Sequence, residues 1–113
     1  ESVQGLDDVA KAKGRFDIVS IKLDKCGGLT EGLMMARAIR EQGMRPMVGC
    51  MASTSLAMIP GCLVGQLCDF VDMDGAMFFT QDRPPPVVYR DGDLMCPDTG
   101  WGMPAGKAPR AAA

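Results

Sequence analysis

Apolar and polar positions switch between two periods along residues 6–73. Leu6-Asp7-Asp8-Val9-Ala10-Lys11-Ala12-Lys13 has a helical spacing and is closed by Gly14. Residues 17–23, Asp-Ile-Val-Ser-Ile-Lys-Leu, are β-branched and mostly apolar, which predicts a strand buried on both faces. Gly27-Gly28 predicts a turn. Thr30 as N-cap, Glu31 in the first turn, Arg40 near the last and Gly43 past the end predict a helix over 31–42. Met47-Val48-Gly49-Cys50 reads as a second strand. Ser53 or Thr54 caps a second long helix to about Cys68, with Pro60 as a kink. Phe70-Val71-Asp72-Met73 reads as a third strand.

Strands separated by helical crossovers pair in parallel, so the chain is α/β with about three β/α units. Three such strands make a poor whole protein, because sheet edges stay unpaired. The alternatives are a small flavodoxin-like unit with missing strands and a piece of a larger β/α barrel; the piece is favoured. Six of the eight prolines follow residue 83. The expected division is therefore residues 1–83 as barrel and 84–113 as a loop-rich tail. Within the tail, residues 87–95 read as a hairpin around Asp91-Gly92, and 106–113 as a frayed end.

Composition narrows the function. Twelve Lys+Arg against fourteen Asp+Glu give a formal net charge of −2, which argues against a nucleic-acid or anionic-membrane binder. No apolar run is long enough for a transmembrane helix, and the first residues lack the pattern of a signal peptide. Histidine is absent, which removes His-based zinc sites and Ser-His or Cys-His pairs. The five cysteines (Cys26, Cys50, Cys62, Cys68, Cys96) form no C-x-x-C and are odd in number, so they read as reduced thiols of a cytoplasmic protein. The ten methionines read as core filler.

Polar residues gather where each strand ends. In a parallel β/α fold those ends share one face, which in barrels carries the active site. Lys22 emerges from an apolar run; desolvation favours its neutral amine, a usable base, while the plainer alternative is an ion pair with Asp24. Asp72 and Asp74 have the i, i+2 spacing of one strand face and suit a metal, an ammonium group or acid–base work; a simple Asp74-Gly75 turn is the alternative. Cys50 and Ala52 share a face by the same rule, and their small side chains leave backbone groups free to meet a ligand. Gly27-Gly28 precedes a helix, but no dinucleotide or P-loop motif is present, so it reads as a turn.

Taken together, residues 21–31 (Ile-Lys-Leu-Asp-Lys-Cys-Gly-Gly-Leu-Thr-Glu), residues 47–56 (Met-Val-Gly-Cys-Met-Ala-Ser-Thr-Ser-Leu) and residues 71–75 (Val-Asp-Met-Asp-Gly) resemble the C-terminal barrel half of dipeptide epimerases. These belong to the enolase superfamily, in its muconate-lactonizing subgroup. The resemblance covers nearly all of residues 1–104. It implies a capping domain joined to a modified, TIM-like (β/α)7β barrel, with residues 17–23, 45–50 and 70–73 as its sixth, seventh and eighth strands. Residues 84–104 resemble the tail that returns towards the capping domain. The implied reaction is a 1,1-proton transfer at the α-carbon of an Ala-Glu-type dipeptide. Two lysines on opposite faces move the proton, and Mg²⁺ stabilises an enediolate. By position, Lys22 matches the sixth-strand lysine, and Lys25, in the turn, is the weaker match. Asp72, Met73 and Asp74 match the D-x-D segment that binds the dipeptide α-ammonium, and Cys50 and Ala52 line the substrate site.

The resemblance places the second lysine and all Mg²⁺ ligands upstream of Glu1, so the 113-residue chain alone is expected to be inactive. The expected partners are a dipeptide substrate and the missing N-terminal part of the same polypeptide. Within the subgroup the rivals are a cycloisomerase, an o-succinylbenzoate synthase or an N-acylamino acid racemase. Outside it, the rival is a non-catalytic half-barrel that pairs with a copy of itself. Side-chain preference and oligomeric state are not readable from the sequence.

Overall fold

The computed structural model describes residues 2–97. The chain runs α1 (Leu6–Ala12), β1 (Ile18–Lys22), α2 (Leu23–Cys26), α3 (Leu29–Glu41), β2 (Arg45–Gly49), α4 (Ser55–Gly65) and β3 (Phe70–Asp72). A 3-10 turn (Gly75–Phe78) and a hairpin of β4 (Val88–Arg90) and β5 (Asp93–Met95) follow. The first three strands form one parallel sheet in the order β1-β2-β3, as helical crossovers require.

One sheet face is packed. Val19 and Ile21 of β1 and Val48 of β2 are buried in a core with Met35 and Ile39 of α3 and Met58 and Val64 of α4. The other face is open. Ile18 is 42% exposed, and Ser20 is also exposed. The expectation that β1 is buried on both faces is therefore corrected: its burial alternates, because no described element covers the second face. At the lower edge of the sheet, Arg45 lies 4.4 Å above the Phe70 ring centroid. Arg40 pairs with Asp69 at 3.1 Å.

Two reversals place the helices. Gly27 ends α2 in the left-handed region (φ 93°), and both Gly27 and Gly28 N–H donate to the Leu23 carbonyl. Gly28, at φ 109°, is itself the N-cap of α3, so that helix starts at Leu29 and Thr30 lies inside its first turn instead of capping it. Glu31 in this turn accepts the Leu6 N–H at 2.9 Å, which satisfies the start of α1 from a different helix.

The second long helix also differs from expectation. It ends at Gly65, short of Cys68, and its Thr54 N-cap makes no side-chain capping bond. Asp82 supplies the cap instead, accepting the Ser55 N–H at 2.8 Å. Pro60 sits buried within the helix. The hairpin turns at Asp91 (φ 52°) and Gly92 (φ 88°), the paired positive φ angles that Asp-Gly accommodates in a two-residue turn. The expectation of a frayed end over 106–113 lies outside the described residues, as does the tail beyond 97.

Candidate active site

The sheet register brings the candidate residues together. Lys22 pairs with Gly49, and Gly49 pairs with Asp72, so these three form one row at the C-terminal ends of the strands. Residues in register on parallel strands share a face, and strands lie about 4.8 Å apart, so Lys22 and Asp72 stand two strand spacings apart, about 10 Å. Gly49 makes room between them. A Cβ there would lie 3.5 Å from Lys22 Cε and 3.3 Å from Ser20 Oγ, so the lysine stem leans across the bare glycine backbone. Its Nζ reaches Met51 Sδ at 4.0 Å. No ion pair joins Lys22 to Asp24 among the described residues, although the sequence offered one. Lys25, in the single turn of α2, is half-buried beside a small cavity that it shares with Lys22 and Cys26.

The two aspartates leave the strand differently. Asp72 is the last residue of β3, and Asp74 is the N-cap of the 3-10 turn. Both are exposed. Met73 between them does not present its side chain with theirs. It is buried, and a Cβ on Gly61 of α4 would collide with its Cε.

Cys50 joins the second and third strand ends. Its thiol contacts Asp74 Oδ1 at 3.8 Å and accepts the Gly75 N–H at 3.3 Å. Burial pushes this thiol up from its ordinary range; the Gly75 N–H opposes that, and the charges of Asp74 and Asp72 push it further up. The protonated thiol is thus a packing and hydrogen-bonding group rather than a nucleophile. Gly75 permits the approach: a Cβ there would strike the Met51 carbonyl and sit 3.1 Å from Cys50 Sγ. Ala52 is exposed beyond β2, where the Ser53 hydroxyl donates to the Met51 carbonyl at 3.1 Å.

Three supporting residues were not singled out by sequence reasoning. Ser55 is fully buried, bonds Asp82 through both its N–H and its hydroxyl, and accepts the Val87 N–H at 2.8 Å. The Tyr89 hydroxyl donates to the Met73 carbonyl at 2.8 Å. Tyr89 is the single tyrosine of the chain, which was its one available signal. Ser55 and Asp82 stand 27 residues apart, so no local pattern pairs them.

A cleft of about 340 Å³ opens between Leu23, Asp24 and Leu29 on one side and Thr54, Leu56 and Pro60 on the other. It includes none of Lys22, Asp72 or Asp74, so it is separate from the row of polar strand ends. Among the described residues no group of three or more Cys, Asp or Glu side chains is placed to hold a metal ion. Among the described residues no helix is long and apolar enough to cross a membrane.

Parallel strands wound through helices, with the polar residues at their C-terminal ends, define part of a TIM-type β/α barrel. The family model for enolase C-terminal domain-like proteins matches residues 1–105, and the chain belongs to that family. It is 40% identical over 98 residues to an L-Ala-D/L-Glu epimerase of Bacteroides thetaiotaomicron, covering 87% of this chain and 26% of that protein. It is 38% identical over 94 residues to an N-acetyl-D-glutamate racemase of a Pseudoalteromonas species, covering 83% and 30%. Among solved structures, it superposes with a TM-score of 0.80 and 44% identity on an Agrobacterium tumefaciens enolase family member with homology to dipeptide epimerases, bound to sodium and L-Ala-L-Glu. That match covers 88% of this chain and 30% of the other. A Methylococcus capsulatus dipeptide epimerase complexed with Mg and L-Arg-D-Lys matches with a TM-score of 0.78 at 25% identity, covering 85% and 29%. The chain thus spans about 30% of the length of the relatives it matches.

Proposed function

We propose that this chain supplies the sixth to eighth strands of a dipeptide epimerase barrel, with residues 1–83 as barrel and the remainder as tail. The observation that carries the reading is the register row Lys22–Gly49–Asp72, with Asp74 just beyond it. It sets one amine opposite two carboxylates on a single sheet end. Such a site suits a zwitterionic substrate whose α-ammonium needs paired anions and whose reacting carbon needs a base some distance away. The epimerases among the relatives support the same substrate class.

In this mechanism Asp72 and Asp74 hold the ammonium end of the dipeptide. Their charges fix its direction, so that the α-carbon of the second residue lies towards Lys22. The Lys22 amine takes the α-proton on one face, or its ammonium returns it there; inversion couples that step to proton delivery or removal by a second acid–base group on the opposite face. Cys50 holds Asp74, and Ala52 leaves open backbone for the substrate. The family chemistry includes Mg²⁺, but the described residues bring together no donor set that fits that ion. With one base and no metal cluster among residues 2–97, the isolated chain is proposed to be inactive.

A second reading, racemisation of an N-acylated amino acid, is favoured by the Pseudoalteromonas relative. Its substrate has no free ammonium, so the two carboxylates would have no cation to meet. The deciding experiment follows α-proton exchange in D₂O with the complete polypeptide, offering L-Ala-L-Glu and N-acetylglutamate side by side. Exchange into the dipeptide, and its loss in Asp74→Asn, is the expected result. Exchange confined to the N-acyl substrate sinks the epimerase reading.

A further inference from the structure

We propose that Tyr89 is a positioning residue: its hydroxyl ties the turn that carries Asp72 and Asp74 to the tail hairpin and so fixes their spacing. Two contacts hold that turn. The Met73 carbonyl, between the two aspartates, accepts the Tyr89 O–H at 2.8 Å. Gly75 N–H donates to Cys50 Sγ at 3.3 Å, which anchors the middle.

The tail end of this bond is anchored as well. Tyr89 lies in β4, half-buried against the core with its partner Leu94. Two residues earlier Val87 is buried, and its N–H donates to the buried Ser55 hydroxyl at 2.8 Å. Val87 and Tyr89 alternate correctly along an extended segment, so both point inward. The hairpin is therefore a brace. Asp72 and Asp74 are exposed; the Asp72 carboxylate takes no hydrogen bond from a described side chain, so the backbone sets where that charge stands, while Asp74 also meets the Cys50 thiol at 3.8 Å. The link to substrate rests on the dipeptide reading; the bracing itself does not.

The test is Tyr89→Phe in the complete polypeptide, which removes one oxygen and keeps the ring. Amide hydrogen exchange at Gly75, Ala76 and Met77 is expected to quicken roughly two- to tenfold, the range of one lost hydrogen bond, while amides in α3 stay unchanged. KM for L-Ala-L-Glu is expected to rise by roughly the same factor with kcat unchanged, because only ground-state and transition-state binding of the ammonium are weakened alike. Unchanged exchange over 75–77, or an equal rise in α3, overturns the brace. Quickened exchange with an unchanged KM overturns its link to the aspartates. If the wild-type protein turns over no dipeptide, the functional reading falls, and the exchange data alone decide the brace. Should Tyr89→Phe fail to fold, the wild-type protein decides: a Tyr89 hydroxyl proton protected from solvent supports the bond, and one exchanging at the solvent rate overturns it.

Discussion

Ser55 and Asp82 are joined twice, backbone N–H to Oδ1 at 2.8 Å and hydroxyl to Oδ2. The first bond satisfies the start of α4. The second leaves the hydroxyl oxygen to accept the Val87 N–H. One buried serine thereby couples helix, loop and hairpin. Ser55→Ala removes that oxygen and strands the buried Val87 N–H, at an expected cost of roughly 1–3 kcal/mol. Denaturant melts of the complete polypeptide check this. A loss confined to a few tenths would show that water replaces the hydroxyl.

The same pair gives a pH dependence. Burial pushes the Asp82 carboxyl up, but bonds from the Ser55 hydroxyl, the Ser55 N–H and the Arg83 N–H outweigh it and hold the group below the ordinary carboxylate range. A carboxyl depressed on folding contributes stability above its unfolded pKa and loses it as pH falls through the folded one. The tail contact is thus expected to weaken only below about pH 4. Asp82→Asn should flatten the acid limb of a melting-temperature series. An identical acid limb in the variant would place the titration elsewhere.

Gly75→Ala introduces a Cβ into the Met51 carbonyl and against Cys50 Sγ. Backbone cannot swing aside as a side-chain end can. The expected loss is roughly 1–3 kcal/mol, the range for overpacking. Calorimetry of the variant measures it, and an unchanged melting temperature would mean that the 3-10 turn shifts freely.

Gly49 separates size from polarity. Gly49→Ala meets Lys22 at ordinary van der Waals distance and the Ser20 hydroxyl more tightly, at 3.3 Å, but that exposed side chain can rotate aside, so the variant is expected to fold normally. Gly49→Val adds methyl groups where the Lys22 stem lies and should lower kcat by roughly tenfold or more through misplacement of the proposed base. Lys22→Met removes the proposed base outright and should cost roughly 10²–10⁴ in turnover. Steady-state kinetics on the complete polypeptide rank the three. Full activity in Lys22→Met would remove it from the mechanism.

Thiol reactivity should follow burial. Burial pushes Cys62 up to about 12, aided by the neighbouring Cys96 thiol. Burial likewise pushes Cys68 up to about 11, although the Arg40 charge pulls the other way. Both stay protonated near neutrality, and the exposed Cys96 should be alkylated first. These protonated thiols favour the fold below their unfolded pKa, and that advantage fades as pH climbs through the folded values. Timed iodoacetamide labelling read by peptide mass gives the order, and early loss of Cys62 or Cys68 would contradict it.

The three strands, their parallel direction and the end of the sheet where the polar residues lie are legible in the order of residues. Those follow from local period and from the length of each crossover, which neighbouring residues set. The same order also placed the hairpin turn, because Asp91-Gly92 tolerates positive φ without help. Tertiary structure alone decided the rest. Thr54 looked like a cap, yet Asp82 supplies the capping oxygen from 27 residues away. Asp72-Met73-Asp74 looked like one motif, yet β3 ends at Asp72, the side chain of Met73 is buried and Tyr89 holds its carbonyl. Nor did any local signal show that Lys22 lies over Gly49, since only the pairing of β1 with β2 sets that register. A hydrogen bond or a contact across strands depends on where distant segments meet, and that is fixed by burial of the whole core rather than by the residues on either side.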